Sequence, residues 1–335
     1  MKKIWILLFV FSLTSCEKVF FVPEPANTPT GVFNEMWNTF NELYGPFEER
    51  SVDWDAVRAQ FAPQVNDAMS DDELFGVLAS MIAVLNDGHV SITAPNKKNI
   101  SSNKVYRDSI GFNLFDLDMI EQHYLNGSFK GSEDVGYVYG EIDGDLIYVF
   151  LPYVSDNMPI MDVILDEYPN AGGIIIDLRH SFGGDFTWGF QYMGRFTNQE
   201  RLVFTSSTKN GPGKNDFDPW VEWNLKPTGN YVSKPIVFLT DRYTISASER
   251  TVMALKVLPN ATQIGDTTNG SHSTMIGREL QNGWYYTLPT QRIRFADGNS
   301  YEGIGMIPDE VVKNSRSRLD QGIDDVLNAA IIHLQ

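Results

Sequence analysis

The stretch TDRYTISASERTV (residues 240–252) sets two hydroxyls and a carboxylate where one kind of structure gives way to another. The apolar run Ile236-Val237-Phe238-Leu239 stops at Thr240-Asp241, and a helical pattern starts at Ala247, with Ser246, Ser248 and Glu249 at the join. A serine followed three residues later by glutamate serves as a capping box with no chemistry. The same residues also suit nucleophilic catalysis. A serine hydroxyl is a poor nucleophile near neutral pH until a base takes its proton, a further group orients the base, and fixed N–H donors meet the developing oxyanion. Candidates for each part exist. His89, in Leu85-Asn86-Asp87-Gly88-His89-Val90, is a base, and Glu302, in the turn-rich stretch Tyr301–Asp309, is an orienting carboxylate. Ala247 N–H lies at a helix N-terminus, where amides have no intrahelical partner. Gly183 and Gly184 follow the apolar run 173–178 and let backbone approach a substrate closely. His180 and His272 compete with His89 as bases, whereas His123 and His333 read as surface or helix residues. The five histidines share no ligand spacing and there is one cysteine, so no metal or other cofactor is expected.

Elements at the right places must hold these residues. Residues 31–86 read as helical. In SDDELFGVLASMIAVLN, Ser70 is an N-cap with Glu73 as its capping-box partner, and Leu74, Val77, Leu78, Met81, Ile82 and Leu85 form one stripe. Phe33, Trp37, Phe40 and Leu43 make a second stripe, and Trp54, Val57 and Phe61 a third. From about residue 105, short apolar runs bounded by Gly, Pro, Asn or Asp read as strands at 136–139, 146–151, 173–178, 236–239, 263–264, 284–288 and 291–295. Helices are expected at 158–168, 188–196, 247–258 and 318–334. Such alternation predicts an α/β domain. The expected organisation is a helical module over 31–90 and an α/β domain over 91–335.

A net charge of −17 argues against nucleic acid as a partner, because phosphate binding needs a basic face. The N-terminus, MKKIWILLFVFSLTSC, has the three-part form of a secretory signal, and Leu13-Thr14-Ser15-Cys16 resembles a bacterial lipobox. Residues 1–15 are therefore expected to be removed, Cys16 to be lipidated, and proline-bearing residues 16–30 to act as a tether. This predicts attachment to a membrane surface of the bacterial envelope, not a span.

Five segments occur in a shared order: LNDGHVSI (85–92), GGIIIDLRHSFGG (172–184), VFLTDRYTISASE (237–249), IGDTTNGS (264–271) and EGIGMIPDEVV (302–312). Together they resemble the serine peptidase family that includes C-terminal processing proteases, the tricorn core and the repeats of the interphotoreceptor retinoid-binding protein. The resemblance implies an α/β core of the ClpP/crotonase-like ββα kind after the helical module. It makes Ser246 the nucleophile and gives the oxyanion hole to Ala247 N–H with a glycine of the 183–184 pair. The C-terminal processing branch carries a lysine base where this chain has Ser271, so a Ser-Lys dyad is excluded. The tricorn branch uses a histidine and a glutamate, matched by His89 and Glu302; its histidine follows a serine, where this chain has Gly88. Glu249, Ser271 and His272 are supporting residues. The span from His89 to Gly173 is too short for the PDZ-type domain of many relatives. The implied function is an envelope-anchored serine endopeptidase acting on peptides or unfolded segments through an acyl-enzyme. A binding lipoprotein without catalysis is the alternative, since the retinoid-binding relatives use the fold to hold ligands.

Overall fold

The computed structural model describes residues 25–335, so the expected leader 1–15 and Cys16 lie outside the described residues. Three helices come first: α1 (Pro29–Leu43), α2 (Trp54–Phe61) and α3 (Asp71–Ala83). Their N-caps are Thr28, Asp53 and Ser70, each accepting a backbone N–H with its side chain. At α3 the bond is reciprocal: Glu73 N–H donates to Ser70 Oγ (3.3 Å) and Ser70 N–H to Glu73 Oε2 (2.8 Å), the capping box expected from the sequence.

Two short strands, β1 (Ser91–Thr93) and β2 (Ile100–Ser101), and two short helices, α4 (Lys104–Arg107) and α5 (Leu117–His123), lead into the rest of the chain. There follow β3 (Lys130–Ser132), β4 (Tyr137–Ile142), β5 (Leu146–Phe150), α6 (Ile160–Glu167), β6 (Gly173–Asp177) and α7 (Phe186–Met193). Next come β7 (Arg201–Thr208), β8 (Val221–Leu225), β9 (Ile236–Thr240), α8 (Ala247–Lys256) and β10 (Ala261–Gly265). The chain closes with β11 (Met275–Glu279), β12 (Tyr285–Pro289), β13 (Gln291–Phe295), β14 (Glu310–Val311), α9 (Arg316–Leu319) and α10 (Asp325–Leu334).

The central sheet has seven strands in the order β14-β10-β9-β6-β5-β4-β3, parallel from β14 to β5 and antiparallel beyond. Both faces are covered, which is why β6 and β9 are apolar throughout their middles. Ile174, Ile176, Ile236 and Phe238 face a core shared with α6, α7 and α8. Ile175, Val237 and Leu239, one residue out of phase, face a second core with α5 and α10. A three-stranded sheet, β13-β7-β8, flanks the first core.

The four-stranded sheet, β11-β12-β1-β2, joins the two ends of the molecule. Its Tyr286 stacks on Phe40 of α1, and Trp284 meets Phe75 of α3 edge-on. The helices of residues 29–83 therefore share one core with strands from residues 275–289. Strands β7, β8 and β11 were not anticipated from sequence; they are half-exposed and carry too many polar residues to stand out as apolar runs. The closing helix expected over 318–334 is interrupted. Gly322 takes φ +77° against the His123 ring, and Asp324 caps a new helix by accepting Leu327 N–H. Among the described residues no helix is long and apolar enough to cross a membrane.

Candidate active site

Because β6 and β9 are parallel neighbours, the loops that leave their C-terminal ends meet. Ile245 N–H donates to Ser181 C=O (3.0 Å) and Thr244 Oγ1 to Leu178 C=O (2.7 Å), which welds the two loops together. Asp241 Oδ1 accepts from the N–H groups of Tyr243 (2.8 Å), Thr244 (3.1 Å) and His180 (3.1 Å), fixing the tight turn out of β9. At its end Ser246 has φ 62° and ψ −123°. That backbone costs a non-glycine residue on the order of 1–3 kcal/mol. It presents the side chain at the sharp join of strand and helix.

Glu249 restrains this turn. Its buried carboxylate accepts from Ser246 N–H (3.2 Å), Gly270 N–H (2.7 Å), Ser271 N–H (2.9 Å) and Thr268 Oγ1 (2.5 Å). Burial alone would push its pKa up, but His272 and these donors hold it below the usual range. Glu249 is thus an anion tying the turn at Ser246 to the loop 268–272.

The two glycines differ. Gly183 N–H donates to Ser248 Oγ (3.2 Å), which also lies 2.7 Å from Ser181 Oγ. The N–H groups of Gly184 and Ala247 donate to nothing among the described residues, and both residues line the cavity beside Ser246. A Cβ on Gly183 would fall 2.7 Å from Ser246 Cβ, so only glycine lets this loop pass the serine so closely.

His89 is positioned by the residue two before it. Asp87, fully buried, accepts His89 N–H at 2.8 Å. Its other oxygen accepts from Tyr44 Oη (2.8 Å) and lies 3.1 Å from Arg50 Nε. The His89 ring is 4 % exposed, and its buried Nδ1 has no hydrogen-bond partner among the described residues. Burial lowers the imidazole pKa against the opposing pull of Asp87, Glu302 and Glu249. His89 is therefore neutral at neutral pH, the form a base requires. The place where a side chain at Gly88 would project is filled: a Cβ there would lie 2.6 Å from Asn269 Oδ1 and 2.9 Å from Ser271 Oγ. Ser271 Oγ accepts Gly88 N–H at 2.9 Å, so a hydroxyl reaches this spot from a different loop.

Glu302 sits in the same charged cluster but does not hydrogen-bond His89. Its Oε1 accepts from Arg50 Nη2 (2.7 Å) and its Oε2 from His272 N–H (3.0 Å), so the strongest donors nearby have already taken both oxygens. Burial would raise its pKa, yet Arg50 and His272 hold it down to about 2. His272 Nε2 lies 3.2 Å from Glu249 and Nδ1 3.6 Å from Glu302. Burial acts to lower its pKa, but the two carboxylates push it up to about 9. It is a buried cation and does not accept a proton at neutral pH. His180 stands apart, 2.6 Å from Asp241 and stacked on Tyr243 and Phe115.

Sequence reasoning missed Arg50, Tyr44 and Asp87. Asp87 stands inside the quoted segment 85–92; Arg50 lies in a charged turn that gives no local sign of its role. Arg50 bonds Asn86 C=O (2.7 Å), Gly270 C=O (2.6 Å) and Glu302, joining three loops that are far apart in sequence.

Residues 151–312 match the model of peptidase family S41, and residues 25–83 match the tricorn protease C1 domain. Residues 151–312, just under half of the chain, thus carry a likeness to peptidase family S41. Ser246, Glu249 and Glu302 fall within the S41 match; His89 lies between the two matched segments. A carboxy-terminal-processing protease of Bartonella bacilliformis is 29% identical over 193 residues, 56% of this chain and 43% of that protein. A carboxyl-terminal-processing protease of Synechocystis is 26% identical over 155 residues, 44% of this chain and 32% of that protein. The chain thus spans less than half the length of these curated relatives. The crystal structure of a candidate peptidase from Parabacteroides merdae superposes with a TM-score of 0.83 at 26% identity, covering 92% of this chain and 97% of that one. A cavity of about 1020 Å³ opens over Ser246 and is also lined by His89, Ala247 and Gly184.

Proposed function

We propose that the chain is a serine endopeptidase acting on peptides or unfolded protein segments. The observation that carries this reading is the backbone of Ser246: a serine held at φ 62° between β9 and α8, facing a cavity that also holds a neutral histidine and two free N–H donors. In the proposed reaction, Ser246 Oγ attacks the scissile carbonyl carbon as His89 takes its proton. The carbonyl oxygen becomes an oxyanion against Ala247 N–H and Gly184 N–H. Collapse breaks the C–N bond, and His89 gives the proton to the leaving amine. Water, deprotonated by His89, then releases the acyl group from Ser246. Glu302 acts at one remove, by holding Arg50 and the 271–272 backbone in place.

The test is a peptide library incubated with the soluble chain and with Ser246→Ala, read by mass spectrometry for new termini. New termini from the unaltered chain, reduced by about 10³-fold or more in the variant, are expected. Equal cleavage by both would remove Ser246 from the mechanism. Intact peptides with both would favour a ligand-binding role on the same fold.

The N-terminal segment supports a further part of the proposal, a lipid anchor on Cys16 in the bacterial envelope. Cells fed a labelled fatty acid should label the unaltered chain and not Cys16→Ala; equal labelling would place the lipid elsewhere or nowhere.

A further inference from the structure

Arg250 lies one helical turn beyond Ser246 on α8, and its side chain lines the same cavity. It is 4 % exposed, yet it forms no ion pair among the described residues. Its partners are all neutral: His272 C=O (2.8 Å from Nε), Thr274 Oγ1 and Gln291 Oε1 (3.1 and 3.2 Å from Nη2). The guanidinium lies over the rings of Phe186 and Phe204, 4.6 and 5.0 Å from their centroids. The other two deeply buried arginines are neutralised inside the fold. Arg50 pairs with Asp87 and Glu302, and Arg179 with Asp177 and Asp324. A buried cation left without a carboxylate is costly unless something supplies one.

The rest of the cavity has the same sign. Its lining carries Lys98, Arg107 and Arg250 against a single carboxylate, Asp185. That carboxylate is spent on capping α7, where it accepts Thr187 N–H (3.0 Å) and Thr187 Oγ1 (2.7 Å). A positive cleft in a chain of net charge −17 is a local feature, not a reflection of composition. Burial pushes the Arg250 pKa down to about 10, opposed by Glu302 and Glu249, so the group remains charged at neutral pH.

We propose that Arg250 is a specificity residue whose Nη1, the guanidinium nitrogen without a partner among the described residues, receives a carboxylate of the peptide substrate close to the scissile bond. The inference rests on the peptidase reading above. Two sources offer this group, an Asp or Glu side chain and a free chain terminus. The two N–H donors of Nη1, on a guanidinium fixed through its other nitrogens and laid on aromatic faces, suit either, and lose less freedom on binding than a lysine would.

The test measures peptide binding by fluorescence anisotropy on the full chain carrying Ser246→Ala, so that hydrolysis does not enter. Matched peptides carry Glu or Gln at each position in turn, with a free or an amidated C-terminus. Expected is a preference of about 30-fold or more for the peptide that keeps the carboxylate, at one position or at the terminus. Loss on Glu→Gln assigns the side chain; loss on amidation assigns the terminus. Adding Arg250→Gln should erase the preference, with the fold checked by circular dichroism. Arg250→Lys is the second variant, should the first not fold, and should lose most of the preference while keeping the charge. The proposal is overturned by the absence of any carboxylate preference, or by a full preference in either folded variant. Hydrolysis of the same peptides by the unaltered chain separates the two claims. Binding with carboxylate preference but no cleavage refutes the peptidase reading, and cleavage without the preference refutes only this one.

Discussion

Two histidines near one serine take different charge states, and environment alone sorts them. His89 is buried with its strongest opposing charge bound to its own backbone, and its pKa falls below the ordinary value. His272 is equally buried but clamped between Glu249 and Glu302, and rises to about 9. His89→Ala should therefore lower turnover by about 10²–10⁴-fold and leave the fold intact. His272→Ala should instead lower stability by about 3–5 kcal/mol, because it leaves two buried carboxylates short of a partner. Turnover and urea unfolding of both variants decide this, and an inactive His272→Ala of unchanged stability would reverse the assignment. With a depressed pKa, His89 stays deprotonated below its ordinary value. The acid limb of kcat/KM should accordingly fall below about pH 6.5. A limb centred above pH 7 would point to another base.

At the level of elements, the site is a junction of loops, and Arg50 is its fastener. It is held by Asp87 on the histidine loop and Glu302 near the chain's end, and it bonds the carbonyl of Gly270. Arg50→Met should cost about 3–5 kcal/mol and reduce turnover, although the side chain does not line the cavity over Ser246. Calorimetry beside a peptide assay would show both losses; a stable and fully active variant would refute the role. What was legible in the sequence follows the same division. The Ser70–Glu73 cap, the apolar stripe of α3, the strand β9 and the turn that ends at Ser246 are local, written in residues within a few positions of each other. So were the paired glycines, although which one keeps a free N–H depends on Ser248. The partners of Glu302 were not legible, because Arg50 is about 250 residues away and its own surroundings are ordinary. The strands β7, β8 and β11 were obscured by mixed polarity, and the break before α10 by Asp324, which caps α10 and also pairs with Arg179.

For the whole molecule, the buried charges tie stability to pH from both sides. Glu302 is held near 2 in the fold, against an ordinary value of 4.5. Its contribution is present above pH 4.5 and is lost as pH falls through about 2. His272 is held near 9 against 6.5. Its contribution is complete below pH 6.5 and is lost as pH rises through about 9. Both are fully present between these limits, so thermal stability should be greatest at about pH 4.5–6.5 and decline toward pH 9. Melting curves across that range test this, and a maximum above pH 8 would contradict it. Arg50 and Glu302 lie 252 residues apart, and the loops that carry His89 and Ser246 fall between them. During synthesis the chain emerges from its N-terminus, so Ser246 appears long before the glutamate that closes the junction. Under the proposed activity, an unfinished chain is blunt: it becomes a cutter only once the segment that bears Glu302 has followed Ser246 out.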